Sequence, residues 1–130
     1  MTILSVGATG FVGGAISLKL RKAGIPVAAL LRHGREHSKA QSLVNAGIEI
    51  IEGDLTLPAS LDEAVKNIEV VISTVSSMPT GADDGLRRVD LEGTLALIDS
   101  AERAGVKRFV YVSYSGNIRE DSPYGQKSRA

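Results

Sequence analysis

The sequence contains no cysteine in its 130 residues. Disulfide bonds, thiolate nucleophiles and zinc sites built from cysteine are therefore excluded. His33 and His37 are its two histidines, and two histidines are a weak basis for any other metal site. We therefore expect no bound metal.

An excess of charge of one sign and long apolar runs are also missing. The chain has 15 Lys and Arg against 15 Asp and Glu, so its charge does not indicate binding to nucleic acid or to a membrane surface. No apolar run approaches the roughly 20 residues that span a bilayer, and the N-terminus lacks a signal-peptide pattern. We expect a soluble, cytoplasmic protein with one domain over residues 1–130.

Strand-like and helix-like segments alternate along the chain. Apolar and β-branched runs predict strands at Ile3–Val6, Val27–Leu31, Ile48–Ile51, Val70–Val75 and Phe109–Val112. Apolar periodicity and end signals predict helices at Phe11–Ala23, Arg35–Ala46, Ser60–Lys66, from Asp83 or Asp84 to Gly105, and from Ser122-Pro123 onward. This order predicts an α/β fold: a doubly wound parallel sheet of about five strands in the order 3-2-1-4-5.

Two of these helices carry more specific predictions. Apolar residues at helical spacing define the first helix, beginning with Phe11 and Val12 directly after a glycine turn. In the third helix, Ser60 with Glu63 three residues later is typical of a capping box, which predicts Ser60 as the N-cap.

The stretch Gly7–Gly13 is the most informative part of the sequence. It joins the first strand to the first helix, and the N-terminus of a helix offers unpaired N–H groups and a partial positive charge to an anion. Glycine permits positive φ and lets a pyrophosphate approach the backbone closely. The stretch therefore predicts a dinucleotide site. The alternative is that Gly10, Gly13 and Gly14 only allow close packing of the helix against the strand.

The glycine turn and four later segments resemble the extended and atypical short-chain dehydrogenase/reductases, most of all those with an NmrA-like or isoflavone-reductase-like domain. The segments are Gly7–Gly13, Ile51–Leu55, Val71–Ser73, Glu92–Thr94 and Ala104–Ser113. The resemblance covers nearly the whole chain and implies an NAD(P)-binding Rossmann domain. The turn residues expected at the cofactor are Gly7, Thr9, Gly10, Phe11, Val12 and Gly13.

Arg32, at the end of the second strand, bears on the choice of cofactor. An acidic residue near this position would bind the ribose hydroxyls of NAD, but the sequence here is Arg32-His33-Gly34-Arg35. A guanidinium can hold a 2′-phosphate through two charge-assisted hydrogen bonds, so the sequence favours NADP (NADPH). The alternative is that Arg32 and Arg35 are ordinary solvated charges, and the two histidines are interpreted as bystanders.

The resemblance also implies contacts to the rest of the cofactor. The carboxylate of Asp54 would accept a hydrogen bond from the adenine amino group, and the Leu55 N–H would donate to the ring. Asp54 has the alternative interpretation of a plain turn residue after a strand. Three residues at the end of the fourth strand would line the nicotinamide-ribose side: Thr74, Val75 and Ser76.

Candidate catalytic residues lie near the end of the sequence. Many members of the superfamily use a serine with a Tyr-x-x-x-Lys pair, and the resemblance implies these roles for Ser113, Tyr124 and Lys127. Tyr124 precedes Lys127 by three positions rather than the family's four, which turns the tyrosine by about 100° around a helix. Each of the three has the alternative of a structural or solvated side chain.

Related proteins are much longer, and their C-terminal half completes the sheet and builds most of the substrate pocket. The resemblance therefore implies that this chain is the cofactor-binding half, with the substrate half absent. The leading hypothesis is hydride transfer between NADPH and an unidentified small organic substrate. The alternatives are a non-catalytic redox-sensing regulator and a fragment of a sugar-nucleotide epimerase or dehydratase. The fifth strand would leave an open sheet edge, so a homo-oligomer is also expected.

Overall fold

The computed structural model describes residues 1–75 and 91–112. Its strands are β1 (Ile3–Val6), β2 (Val27–Leu31), β3 (Glu49–Glu52), β4 (Val70–Ser73) and β5 (Arg108–Tyr111). Its helices are α1 (Phe11–Lys22), α2 (Ala40–Asn45), α3 (Pro58–Ala64) and α4 (Gly93–Ala104), with a short 3₁₀ turn at Gly34–Glu36. The strands form one parallel sheet in the order β3-β2-β1-β4-β5, which confirms the predicted topology.

The sheet is covered on both faces, which explains the unbroken apolar sequence of β2. Along β2, Val27, Ala29 and Leu31 belong to one buried cluster, whereas Ala28 and Leu30 belong to another. The first cluster includes Leu43 of α2, and the second includes residues of α3 and α4. Alternate residues of one strand thus enter two different cores, as the doubly wound arrangement requires.

Helix α1 fully buries only small residues, although Leu20 packs against the core with partial burial. Gly13 and Ser17 are its buried residues, whereas Phe11 is 93% exposed and Val12 is 50% exposed. The Ser17 hydroxyl lies 2.8 Å from Ser5 Oγ on β1 and donates to the Gly13 carbonyl at 2.7 Å. The apolar spacing therefore predicts the helix correctly. The face that contacts the sheet, however, carries Gly13 and Ser17, because small side chains permit a close approach.

The predicted helix Arg35–Ala46 is wrong in its first half. The chain makes a 3₁₀ turn over Gly34–Glu36, becomes extended at His37 (φ −62°, ψ 138°), and only then forms α2. The Lys39 N–H donates to Nδ1 of His37 at 3.0 Å. This local hydrogen bond stabilises the break, because a side chain that serves the backbone competes with helix formation.

The predicted N-cap and capping box at Ser60 are also wrong. Helix α3 begins at Pro58, with Leu57 as its N-cap and no side-chain cap among its described contacts. Proline fits the first turn of a helix because it needs no N–H partner there. Ser60 therefore lies inside the helix, and its hydroxyl donates to the Leu57 carbonyl at 2.7 Å.

Several predicted boundaries shift by one or two residues. Strand β4 ends at Ser73 rather than Val75, β3 and β5 are each displaced by one residue, and α3 ends at Ala64 rather than Lys66. Gly105 ends α4 in the left-handed conformation, as expected. The predicted helix start at Asp83 or Asp84 and the helix at Ser122-Pro123 lie outside the described residues.

Within residues 1–75 and 91–112, no helix is both long enough and apolar enough to cross a membrane. Nor do three or more His, Asp or Glu side chains in these ranges group into a set of metal ligands.

Candidate functional site

The glycine turn brings β1, α1 and the end of β4 into close contact. Gly7 has a φ of 103°, and a Cβ atom at this position would lie only 2.5 Å from Oγ1 of Thr74. The Gly10 N–H donates to the Gly7 carbonyl at 3.0 Å, which closes the turn before the helix begins. Position 7 therefore requires glycine for two reasons: its φ is positive, and a side chain there would clash with Thr74.

Gly13 and Gly10 lack side chains for different reasons. A Cβ atom at Gly13 would overlap the Gly7 carbonyl oxygen and lie 2.5 Å from Thr74 Oγ1, so the fold itself excludes a side chain there. Gly10 has an ordinary extended conformation (φ −83°, ψ 170°). A Cβ atom at Gly10 would approach a single neighbour among the described atoms, the Gly7 carbonyl oxygen at 3.3 Å. Packing thus excludes a side chain at Gly13, whereas at Gly10 it opposes a side chain through a single tight contact.

The N-terminus of α1 is built to accept an anion. Its N-cap is Gly10, no described side chain caps it, and its first turn contains no acidic residue. The N–H groups of Phe11, Val12 and Gly13 have no partner within the helix, as in every first helical turn. Because a helix N-terminus also carries partial positive charge, a phosphate group is a natural partner here.

A cleft of about 210 Å³ opens beside this turn at the carboxyl ends of the strands. It is lined by Val6, Gly7, Thr9, Leu30, Leu31, Arg32, His37, Gly53, Asp54, Leu55 and Val75. Six of the predicted cofactor residues meet in this one cleft: Gly7, Thr9, Arg32, Asp54, Leu55 and Val75. Thr74 supports the turn, with its N–H donating to the Val6 carbonyl at 2.9 Å. Gly10, Phe11, Val12 and Gly13 lie at the N-terminus of α1 and are not part of this lining. Four further predicted residues lie outside the described residues: Ser76, Ser113, Tyr124 and Lys127.

Arg32 and Asp54, which both line the cleft, form an ion pair with each other. Nε of Arg32 lies 3.6 Å from Oδ2 of Asp54, and the arginine side chain is 57% exposed against 19% for the aspartate. Partial burial raises the pKa of the Asp54 carboxyl, but hydrogen bonds from Thr56 and the charges of Arg32 and His33 outweigh it, so the pKa lies below its usual value. Asp54 is therefore an ionised acceptor at neutral pH.

Lys39 is a site residue that the sequence prediction missed. Its Nζ donates to the carbonyl of Thr9 in the glycine turn at 2.8 Å, which holds a second cation beside the cleft that Arg32 lines. The sequence signal was the basic stretch that begins at Arg32. It was not decisive, because the predicted helix Arg35–Ala46 placed Lys39 within a regular helix instead of at the break after His37.

The loop after β3 is fixed by hydrogen bonds on both sides of Asp54. The Gly53 N–H donates to the Leu31 carbonyl at 3.1 Å, and the Asp54 N–H donates to Oγ of Ser60 at 2.9 Å. Oδ1 of Asp54 accepts from the N–H and the hydroxyl of Thr56 at 2.8 and 2.7 Å. Asp54 is thus a turn residue that also lines the cleft.

The family model of the NmrA-like family matches residues 1–125 of this chain. Photosystem II assembly factor Ycf39 of Trieres chinensis is 38% identical over 120 residues, covering 92% of this chain and 36% of that protein. Phenylcoumaran benzylic ether reductase PT1 of Pinus taeda is 36% identical over 123 residues, covering 89% of this chain and 36% of that protein.

Two solved structures share the fold. Triphenylmethane reductase of Citrobacter sp., complexed with NADP(H), matches with a TM-score of 0.76 at 26% identity, covering 99% of this chain and 43% of that one. A short-chain dehydrogenase/reductase superfamily protein of Agrobacterium tumefaciens with bound NAD matches with a TM-score of 0.76 at 28% identity, covering 99% and 42%.

The chain spans about a third of the length of the curated relatives it matches. The match to the family model nevertheless extends over nearly all of its own residues, and the parallel sheet has the strand order predicted from the alternation of strands and helices. The chain therefore belongs to the NmrA-like family.

Proposed function

We propose that the chain binds NADP(H) across the carboxyl edge of its sheet. The pyrophosphate would accept hydrogen bonds from the first N–H groups of α1, close to Gly10. The adenine would lie in the cleft lined by Asp54 and Leu55. The nicotinamide end would lie toward Thr74, Val75 and Ser76, at the point where the strand order reverses.

The observation that carries the choice of NADP is that one cation, Arg32, lines the cleft and a second, Lys39, binds a residue of the cleft lining. Arg32 lines the cleft directly, and Lys39 is bound to the Thr9 carbonyl of the glycine turn. A 2′-phosphate is attracted by two cations and would be repelled by the carboxylate that NAD-specific domains carry near this position. The related structures that contain NAD and NADP(H) support a nicotinamide dinucleotide, and this charge arrangement favours the phosphorylated form.

The proposed reaction in the complete protein is reduction of a small organic substrate. A bound nicotinamide supplies hydride transfer. Ser113 and Lys127 are proposed to orient the substrate oxygen and the cofactor ribose, with Tyr124 as the candidate proton donor. The similarity to a benzylic ether reductase and to triphenylmethane reductase supports this class of chemistry.

The test is a calorimetric titration of the chain with NADPH and NADH, repeated for Arg32→Ala and Lys39→Met. We expect NADPH to bind at least about tenfold more tightly than NADH, because only NADPH carries the 2′-phosphate. The net gain from a hydrogen bond between charged groups, relative to their hydration, corresponds to about tenfold in affinity or more. Each substitution should lower the affinity for NADPH and leave that for NADH nearly unchanged. Lys66→Met is the matched control, since Lys66 pairs with Glu63 on an exposed surface. Equal binding of the two cofactors by the unmodified chain would refute the proposal for NADP.

A second candidate function is a non-catalytic regulator that binds the dinucleotide and reports its oxidation state. The similarity to a photosystem II assembly factor favours it, as does the spacing of Tyr124 and Lys127. A sensor requires different affinities for NADP and NADPH, so equal affinities would refute it. Consumption of NADPH with a panel of enones and aldehydes would instead support the reductase. The epimerase alternative and the homo-oligomer stay predictions.

A further inference from the structure

The Thr74 hydroxyl fills the space in front of two glycines of the turn. Its Oγ1 atom lies 2.5 Å from the position that a Cβ atom would take at Gly7, and 2.5 Å from the corresponding position at Gly13. The hydroxyl reaches the Val6 carbonyl at 3.5 Å, which is long for a hydrogen bond between two oxygen atoms. The hydroxyl therefore acts mainly as a spacer of fixed size between the end of β4 and the turn.

The main chain around Thr74 is fixed, so this spacer has a defined place. The Thr74 N–H donates to the Val6 carbonyl at 2.9 Å, directly before Gly7. The carbonyl carbon of Thr74 and the nitrogen of Val75 each lie 3.3 Å from the Cβ position at Gly7. Val75 lines the cleft, whereas Thr74 is not among the described residues of its lining. The Thr74 side chain thus belongs to the turn rather than to the cleft.

Helix α1 is held against the sheet at two places along its length. Near its middle, the Ser17 hydroxyl lies 2.8 Å from Ser5 Oγ on β1. At its N-terminus, Gly13 packs against Gly7 and the Thr74 hydroxyl. A change in the size of the spacer would therefore displace the first turn of the helix, while the serine pair holds the rest in place. The N–H groups of that first turn are the ones proposed to bind the pyrophosphate.

We propose that Thr74 is a positioning residue whose hydroxyl sets the distance between the glycine turn and β4. It thereby aims the N–H groups of α1 at a phosphate without touching the ligand. The inference rests on the proposed binding of a dinucleotide. It differs from the role that the resemblance implies for Thr74, which is direct contact on the nicotinamide-ribose side.

Three ligands of increasing length separate these roles in calorimetric titrations. Adenosine 2′-phosphate would occupy only the cleft, adenosine 2′,5′-bisphosphate would add one phosphate at the turn, and NADPH would add the nicotinamide half. We expect Thr74→Val, which puts a larger methyl group in place of the hydroxyl, to weaken binding of the last two ligands by about three- to tenfold. The reason is that a displaced N–H group loses part of its hydrogen bond to a charged phosphate. Adenosine 2′-phosphate should bind as before.

Two further variants control for the size and the chemistry of the side chain. Thr74→Ser keeps the hydroxyl and should retain the affinities of the unmodified chain for all three ligands. Thr74→Ala removes the spacer without adding bulk and should weaken the bisphosphate and NADPH, as Thr74→Val does. Thermal unfolding of each variant verifies that it is folded, and Thr74→Ala decides the question if the valine variant does not fold.

The other outcomes overturn the inference in distinguishable ways. A loss of affinity for NADPH alone would show that Thr74 contacts the nicotinamide half directly. An equal loss for all three ligands would show a general structural role, and unchanged affinities would show that the turn does not depend on this hydroxyl. Failure of the unmodified chain to bind NADPH overturns the proposed function and this inference with it.

Discussion

Replacing Gly10 by valine separates ligand binding from folding at the glycine turn. Gly10 has φ −83° and ψ 170°, an extended conformation that valine adopts readily. A new Cβ atom would meet the Gly7 carbonyl oxygen at 3.3 Å, so a shift of a few tenths of an ångström accommodates it. Beyond that contact the side chain would enter the space in front of the N–H groups of α1, where the pyrophosphate is proposed to lie.

The two expected effects differ in size. Loss of a favourable N-cap residue together with a tight contact should lower the free energy of unfolding by about 1 kcal/mol. Displacing the pyrophosphate costs at least one hydrogen bond to a charged group, worth about 1.5–3 kcal/mol. That corresponds to a loss of about 10- to 150-fold in affinity, and a larger loss follows if two such bonds are broken.

The assay combines calorimetric titration of NADPH with urea unfolding of the same protein sample. Gly24→Ala is the matched control, because Gly24 has φ 83° and no atom within 4 Å of a new Cβ. This control should lose about 1–2 kcal/mol of stability through backbone strain and keep its affinity. An unchanged affinity in Gly10→Val would refute the proposal that the turn binds the cofactor. A global loss of folding in that variant would refute the structural explanation of Gly10.

Two further predictions concern stability. Ser17→Ala should lower the free energy of unfolding, measured by urea unfolding, by about 1–3 kcal/mol. The reason is that the buried Ser5 hydroxyl would lose its partner, the Ser17 hydroxyl at 2.8 Å. An unchanged free energy of unfolding would show that this hydroxyl pair is dispensable. A hydrogen bond from Arg103, followed by one from Ser100, lowers the pKa of the exposed Asp62 carboxyl, and the charge of Arg103 adds to this. These interactions therefore stabilise the fold above the unfolded-state pKa, near 3.9, and the effect is lost as pH falls through the lower folded-state value. Urea unfolding from about pH 6 to about pH 3 should therefore show a smaller acid-induced loss of stability in Asp62→Asn than in the unmodified chain, and equal losses would contradict this.

The fold could be predicted from the sequence because its main signals are local and mutually consistent. Apolar runs bounded by turns define the strands, and β2 shows the unbroken apolar pattern of a strand buried on both faces. Parallel strands joined by helices require right-handed crossovers, which leave few possible topologies. The order β3-β2-β1-β4-β5 is one of these few, and the glycine turn between β1 and α1 favours it because such a turn is typical of dinucleotide-binding sheets.

The errors arose where a local signal competed with an interaction that the pattern does not show. Ser60 has the sequence of an N-cap, but Pro58 starts the helix earlier and the Ser60 hydroxyl instead receives the Asp54 N–H. The region after Arg35 has helical composition, but the hydrogen bond from Lys39 to His37 stabilises an extended residue within it. Helix α1 has large apolar residues, yet the close contact of Gly13 with the turn selects its buried face.

The sequence by itself determined the α/β topology, the glycine turn and the cation at the end of β2. Each of these depends on residue types and spacings within one strand-turn-helix unit. Only the tertiary structure decided that a side chain at Gly10 would meet one tight contact, whereas a side chain at Gly13 would overlap the Gly7 carbonyl, and that Lys39 reaches the Thr9 carbonyl. It also decided that Thr56 orients the carboxylate facing Arg32. The reason is physical: Lys39 and Thr9, like Asp54 and Arg32, lie far apart along the chain, and they meet because parallel strands bring their carboxyl ends to one edge of the sheet.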